Sequence, residues 1–207
     1  MKRFTAALCT FLLLAAALSA QSDSDDDEEE IIDRHDVSFN LNQRGDQYIN
    51  IGLMVTMPMN FGGDFPLYRE GTLNTGGMGM LGYHRFFTSW FAVGADICFG
   101  YNPTIGNNIF TYVPLMLNVT FQPWFKRLEF PITLGAGAAM ESYLDRTYFP
   151  GFAVKCSAGA YYRATPSWSF GAAYDFMYLP QWYDGEDSKY NDYGIFSSFM
   201  LGARYHF

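Results

Sequence analysis

From residue 46 to the end of the chain, bulky apolar side chains recur at every second position, and small or polar ones fall between them. Ile49, Ile51, Leu53, Val55, Met57 and Met59 alternate with Asn50, Gly52, Met54, Thr56 and Pro58. Phe91, Val93, Ala95, Ile97, Phe99 and Tyr101 do the same against Ala92, Gly94, Asp96, Cys98 and Gly100. Further runs begin at Val113, Phe130, Phe152 and Phe170, and the last takes in Tyr193, Ile195, Phe199, Leu201, Ala203, Tyr205 and Phe207. An eighth run, about 72–84, is blurred by glycines, and its outward positions are read as Leu81 and Tyr83. Period two means strands with two unlike faces, and no helical period competes with it. Each run covers roughly 10–14 residues, longer than the common soluble strand and suited to a tilted crossing of hydrocarbon.

The connectors come in two kinds. Tight ones fall at 85–89, 122–127 and 164–167, and longer polar ones at 60–71, 102–108, 142–151 and 180–192. Short turns at one end and long loops at the other are the pattern of an outer-membrane barrel. The fold predicted is all-β: an eight-stranded antiparallel up-and-down transmembrane β-barrel over 46–207, with both termini on the short-turn, periplasmic side. A soluble sandwich would need a charged outer face. Here the non-bulky face holds Gly, Ala, Ser and scattered charges, while the bulky face would overfill so small a barrel. Aromatic residues near the strand ends complete the pattern. Trp90, Trp124, Phe125 and Trp168 form one expected girdle, and Tyr101, Tyr143, Tyr178 and Trp182 the other.

Upstream, residues 1–20 have two basic residues, an apolar run and small residues ending at Ala20, the layout of a cleaved signal peptide. Residues 21–45 form an acidic tail expected to be largely disordered. Nine acids fall within 23–36, while 37–207 holds twelve acids and ten bases, so the low pI belongs to the tail. Residues 37–42 alternate too and are read either as an extension of the first strand or as a segment pairing below the membrane. Cys98 and Cys156 have opposite parity and are expected to stay unpaired, because a disulfide needs Cβ atoms roughly 4 Å apart. The tripeptide Arg44–Gly45–Asp46 matches a cell-adhesion motif, but it sits at the periplasmic entrance to the first strand.

The chain ends on "MLGARYHF". Gly202, Tyr205 and Phe207 resemble the C-terminal β-signal of outer-membrane barrels, although Met200 stands where that pattern prefers a polar residue. The resemblance implies that the barrel assembly machinery reads the last strand. The span 46–207 resembles the small barrels of the OmpA, OmpX and OmpW types in architecture, and does not single out one of them.

Three functional classes follow. The first is a non-enzymatic structural or surface-interaction barrel in the outer membrane of a diderm bacterium, with outer-membrane lipid around it and an extracellular ligand as a possible partner. The second, implied by the OmpW resemblance, is a narrow conduit or binding site for a small hydrophobic solute. The third is a rim enzyme built on loop carboxylates such as Asp64, Glu70, Asp145, Asp184, Glu186 and Asp187. No histidine falls in a long loop, which leaves a dyad of those carboxylates as the chemistry open to that class. No catalytic residue, cofactor site, metal site or nucleic-acid surface is predicted. Parity assigns Asp96, Glu129, Glu141, Lys155, Arg163, Asp175 and Arg204 to the lumen. Hairpin geometry sets Lys155 opposite Asp175 or Met177, with Asp175 as its expected ion-pair partner, and Glu129 opposite Arg163.

Overall fold

A computed structural model describes residues 41–62, 73–104, 106, 108–144, 146–183 and 185–207. The expected signal peptide, nearly all of the acidic tail and residues 37–40 lie outside the described residues. Ten strands occur in order: β1 (Gln47–Gly62), β2 (Gly76–Phe86), β3 (Phe91–Pro103), β4 (Ile109–Phe121), β5 (Trp124–Phe125), β6 (Leu128–Glu129), β7 (Ile132–Tyr143), β8 (Arg146–Arg163), β9 (Trp168–Gln181) and β10 (Asp192–His206). β5 and β6 have only two residues each. The eight long strands pair antiparallel with their neighbours, and β10 returns to β1, closing a barrel without a free edge.

The alternation places side chains as expected. On β3, Asp96 is 2% exposed and Ile97 50%; Leu53 and Leu117 reach 73% and 72%. Leu81 and Tyr83 point outward. A soluble protein would bury this apolar belt, which here has only the bilayer to cover it. The cysteines obey the same rule: Cys98 is buried, Cys156 is exposed, and both are free. In refolded protein, a lipid-soluble maleimide is therefore expected to label Cys156 and spare Cys98, read by mass spectrometry of tryptic peptides. Equal labelling would contradict the face assignment.

Several boundaries differ from the sequence reading. The connector expected at 142–151 is mostly strand, because β7 runs to Tyr143 and β8 starts at Arg146. A ladder slip between Ala139 and Glu141 lets the two strands stay paired out to Tyr143 and Arg146. Tyr143 consequently has inward parity and packs partly buried against the core instead of joining a girdle. The tight connector expected at 122–127 extends to Pro131 and contains the β5–β6 hairpin. β6 and β7 form one line along β8, Glu129 facing Tyr161 and Ile132 facing Ala158. Pro131 interrupts that line because it has no N–H for the ladder. The glycine-blurred strand runs 76–86, two to four residues later than read from the sequence.

At the short-turn end, Gly45 takes φ +101°, a conformation that favours glycine. The turn is tied by Gly45 N–H to the Phe86 carbonyl (2.9 Å), and the Asp46 carboxylate accepts from Gln43 N–H (2.7 Å). The Arg44–Asp46 tripeptide is thus a structural turn into β1. Leu41 and Asn42 are not strand; they are buried, next to the ion pairs at that mouth.

Candidate functional site

The inward positions stack in layers along the barrel. Nearest the short turns lie Tyr48, Phe86, His84, Glu129, Arg163, Ser169, Arg204 and His206, all buried. Arg163 donates from Nε and Nη2 to Glu129 Oε1 at 2.9 and 2.6 Å. Its Nη2 also reaches the Leu41 carbonyl (3.0 Å) and Asn42 Oδ1 (2.9 Å), holding that segment across the mouth. Glu129 faces Tyr161 in the ladder, so this ion pair is a diagonal step and not the directly opposed pair predicted. The Arg204 guanidinium lies between two rings, 3.6 Å from the Tyr161 centroid and 5.0 Å from that of Tyr48. It donates to Gln122 Oε1 (3.0 Å) and lies 3.9 Å from Glu129 Oε2.

The middle layer corrects the second predicted pair. Lys155 Nζ is 2.6 Å from Asp96 Oδ2, across the lumen from β8 to β3, and has no ion pair with Asp175. The register explains this: Lys155 sits opposite Met177, and Asp175 opposite Ser157. Lys155 meets Asp96 because a lysine can span so narrow a barrel, a contact that hairpin arithmetic cannot show. His84 Nε2 holds the other Asp96 oxygen at 2.9 Å. Neither Asp175 oxygen has a hydrogen bond of ordinary geometry to protein, although the Ser157 hydroxyl stands across the ladder from it.

Above this ionic layer, Met54, Met78, Met116, Met177, Tyr112, Phe110 and Phe196 form a continuous buried cluster with Cys98. Phe196 stands 5.1 Å from Tyr112 and 6.3 Å from Phe110 between ring centroids. Gly100 has no side chain where the Tyr112 ring crosses, and any Cβ there would strike it. Glu141 accepts from Gln181 Nε2 (2.7 Å) nearest the long loops. A cavity of about 20 Å³ remains in the middle layer, lined by Asp96, Lys155, Asp175 and Asn50 among others. That is room for roughly one water molecule.

Two arrangements have the spacing of acid–base chemistry. Ser169 Oγ is 2.8 Å from His206 Nε2, and His84 touches Asp96 as described. All four residues are buried in packed protein. Of the loop carboxylates, Glu186 is exposed in the 3-10 helix Gly185–Tyr190; Asp64, Glu70, Asp145 and Asp184 lie outside the described residues. Among the described residues no His/Cys/Asp/Glu cluster is arranged to hold a metal ion. At the C-terminus, Tyr205 packs on Trp168 (5.1 Å between centroids), Phe207 stands exposed, and Gly202 lies under the Tyr161 hydroxyl. Inward parity flags Tyr48 and His84, neither of which the sequence reading took as a lumen residue; Asn42 carries no such signal.

An apolar belt around a closed eight-stranded ring, with ionic and aromatic layers filling its lumen, defines a small outer-membrane β-barrel protein. A protein-family model matches residues 23–205. The chain is 31% identical over 181 residues to an uncharacterized protein of Treponema pallidum (strain Nichols), covering 83% of this chain and 81% of that one. It belongs to the family of that protein. Among solved structures, Neisserial surface protein A superimposes with a TM-score of 0.62 at 10% identity, over 78% of this chain and 99% of its own. Ail, the attachment invasion locus protein of Yersinia pestis, solved with the heparin analogue sucrose octasulfate, gives 0.51 at 16% identity, over 80% and 100%. Both likenesses concern the fold.

Proposed function

We propose that this protein is a non-conducting, non-enzymatic outer-membrane barrel that works through its long-loop end, with both termini and the short turns in the periplasm. The observation that carries this reading is the packed lumen, in which the methionine and aromatic cluster lies over an ionic layer whose cavity is about 20 Å³. A hydrated ion or small solute needs a continuous path, and small barrels whose interiors are filled by side chains offer none. The same packing argues against a narrow conduit for a hydrophobic molecule, which would have to pass Asp96, Lys155 and Asp175. Contact with the surroundings then falls to the β7–β8 hairpin and the 3-10 segment, where Leu144, Phe149 and Trp182 are exposed. Tyr148 and Trp182 exchange two hydrogen bonds there (3.0 and 2.8 Å), which holds those two segments together. Surface contact is a use this fold also serves in Ail, an attachment and invasion protein by name. In this reading Gly202, Tyr205 and Phe207 are the signal for the barrel assembly machinery.

Planar-bilayer recording of the refolded protein is the test. No stepwise conductance is expected in ordinary salt. Discrete, reproducible openings from protein that is fully folded by gel mobility would overturn the reading in favour of a conduit.

A further inference from the structure

Asp175 on β9 is 1% exposed, and neither of its oxygens has a hydrogen bond of ordinary geometry. Asn50 Oδ1, on β1, is in the same condition at 5% exposure. Both residues line the cavity of the middle layer, together with Lys155 and Ser157. Lys155 gives one ammonium hydrogen to Asp96 Oδ2 and turns another toward Met80 Sδ at 3.7 Å, which leaves a third. His84 and Arg204 border the cavity too, but His84 Nε2 is held by Asp96 and Arg204 Nη1 by Gln122. Two acceptors and one donor with spare capacity thus border the same small space.

We infer that this cavity is a binding site for one ordered water molecule, which donates to Asp175 and to Asn50 Oδ1 and accepts from Lys155. Buried acceptors are costly to leave unsatisfied, and a buried water typically makes about three hydrogen bonds to groups of this kind. The volume of about 20 Å³ suits one water, which needs roughly 10–15 Å³. A bare monovalent cation would answer the charge of Asp175, but it would share the space with the Lys155 ammonium and be repelled. Water is neutral, and it both donates and accepts, as this mixed lining requires. It also joins Lys155 to Asp175 at one remove, a link that the ladder denies to direct contact by setting Lys155 opposite Met177.

The test is a crystal structure of the full-length mature chain, grown in sodium salts and diffracting well enough to order internal water. One density peak is expected in the cavity, within about 3.2 Å of an Asp175 oxygen, Asn50 Oδ1 and Lys155 Nζ. Soaking with thallium(I) then asks whether the occupant is a cation. An anomalous peak at the same point overturns the inference, and so does a direct Asp175–Asn50 contact with no peak between them. In solution, deuteron magnetic relaxation dispersion of the refolded barrel counts long-lived internal waters. N50L/D175L, which removes both acceptors, should lose one water per barrel, whereas D175N, which keeps an acceptor there, should lose none. Gel mobility shows that each variant is folded, and D175L alone gives the same reading where the double variant does not fold. An unchanged count in the folded variant without the Asp175 carboxylate overturns the inference.

Discussion

Lys155→Ala is expected to destabilise the refolded barrel by about 3–5 kcal/mol, as when one partner of a buried ion pair is removed. The Lys155 ammonium lies 2.6 Å from Asp96, and both side chains are almost wholly out of solvent. Without the lysine, Asp96 keeps only His84, in a lumen where no bulk water can take over. Joint replacement by apolar residues of similar volume, Asp96→Leu with Lys155→Met, should recover much of the loss, because the desolvation of both charges disappears together. Asp175→Asn separates this account from the pairing read from the sequence. Its carboxylate accepts no ordinary hydrogen bond, so neutralising it should be nearly silent or mildly stabilising. Equilibrium unfolding in urea from lipid vesicles reads all three. A loss below about 1 kcal/mol for Lys155→Ala, or a larger loss for Asp175→Asn, would show that the pair is not the lumen's main tie.

The second large effect is expected in cells. Removing Phe207 should strongly reduce the amount of folded protein in the outer membrane, while refolding into lipid in vitro changes little. Phe207 exchanges two backbone hydrogen bonds with Gln47, at 3.0 and 3.3 Å, and its ring stacks on Tyr205 at 6.0 Å. Those contacts at an exposed strand end amount to roughly 1–3 kcal/mol, too little to prevent a barrel from closing. A much larger loss in cells would therefore reflect recognition of Gly202, Tyr205 and Phe207 by the assembly machinery. The measurement is outer-membrane abundance of a chain ending at His206, set beside its unfolding curve. Normal abundance would count against the signal, and a curve shifted as far as the abundance would assign the effect to stability alone.

The alternation along β1 and β3 made the barrel legible, because a membrane barrel needs opposite chemistry on its two faces and each strand spans the same thickness. The strand ends were less legible. Arg146–Gly151 looked like loop since it is polar and proline-bearing, yet pairing with β7 needs only backbone groups, which composition does not reveal. The Glu129–Arg163 contact was readable because both residues lie on adjoining strands. The Lys155–Asp96 contact was not, since it joins strands that are far apart in the ring and depends on the barrel's diameter. The parity of His84 already turned it inward, to the face that carries Asp96. The place of Leu41 and Asn42 had no sequence signal, because a carbonyl and an amide that satisfy Arg163 look like any other linker.

The seam where Tyr48 faces His206 limits how such a chain can change size over descent. Loss or gain of a single strand would carry one terminus to the opposite face of the bilayer and leave the ring unable to close antiparallel. The seam would have to close parallel, a pairing slightly less stable per residue, or leave N–H and C=O groups unpaired in hydrocarbon at several kcal/mol each. Growth by whole hairpins, two strands at a time, avoids both costs. Diameter rises roughly in step with strand number, so one added hairpin would draw Lys155 away from Asp96 and part the methionine and aromatic cluster. A ten-stranded descendant would inherit a hollow that its ancestor's side chains had filled.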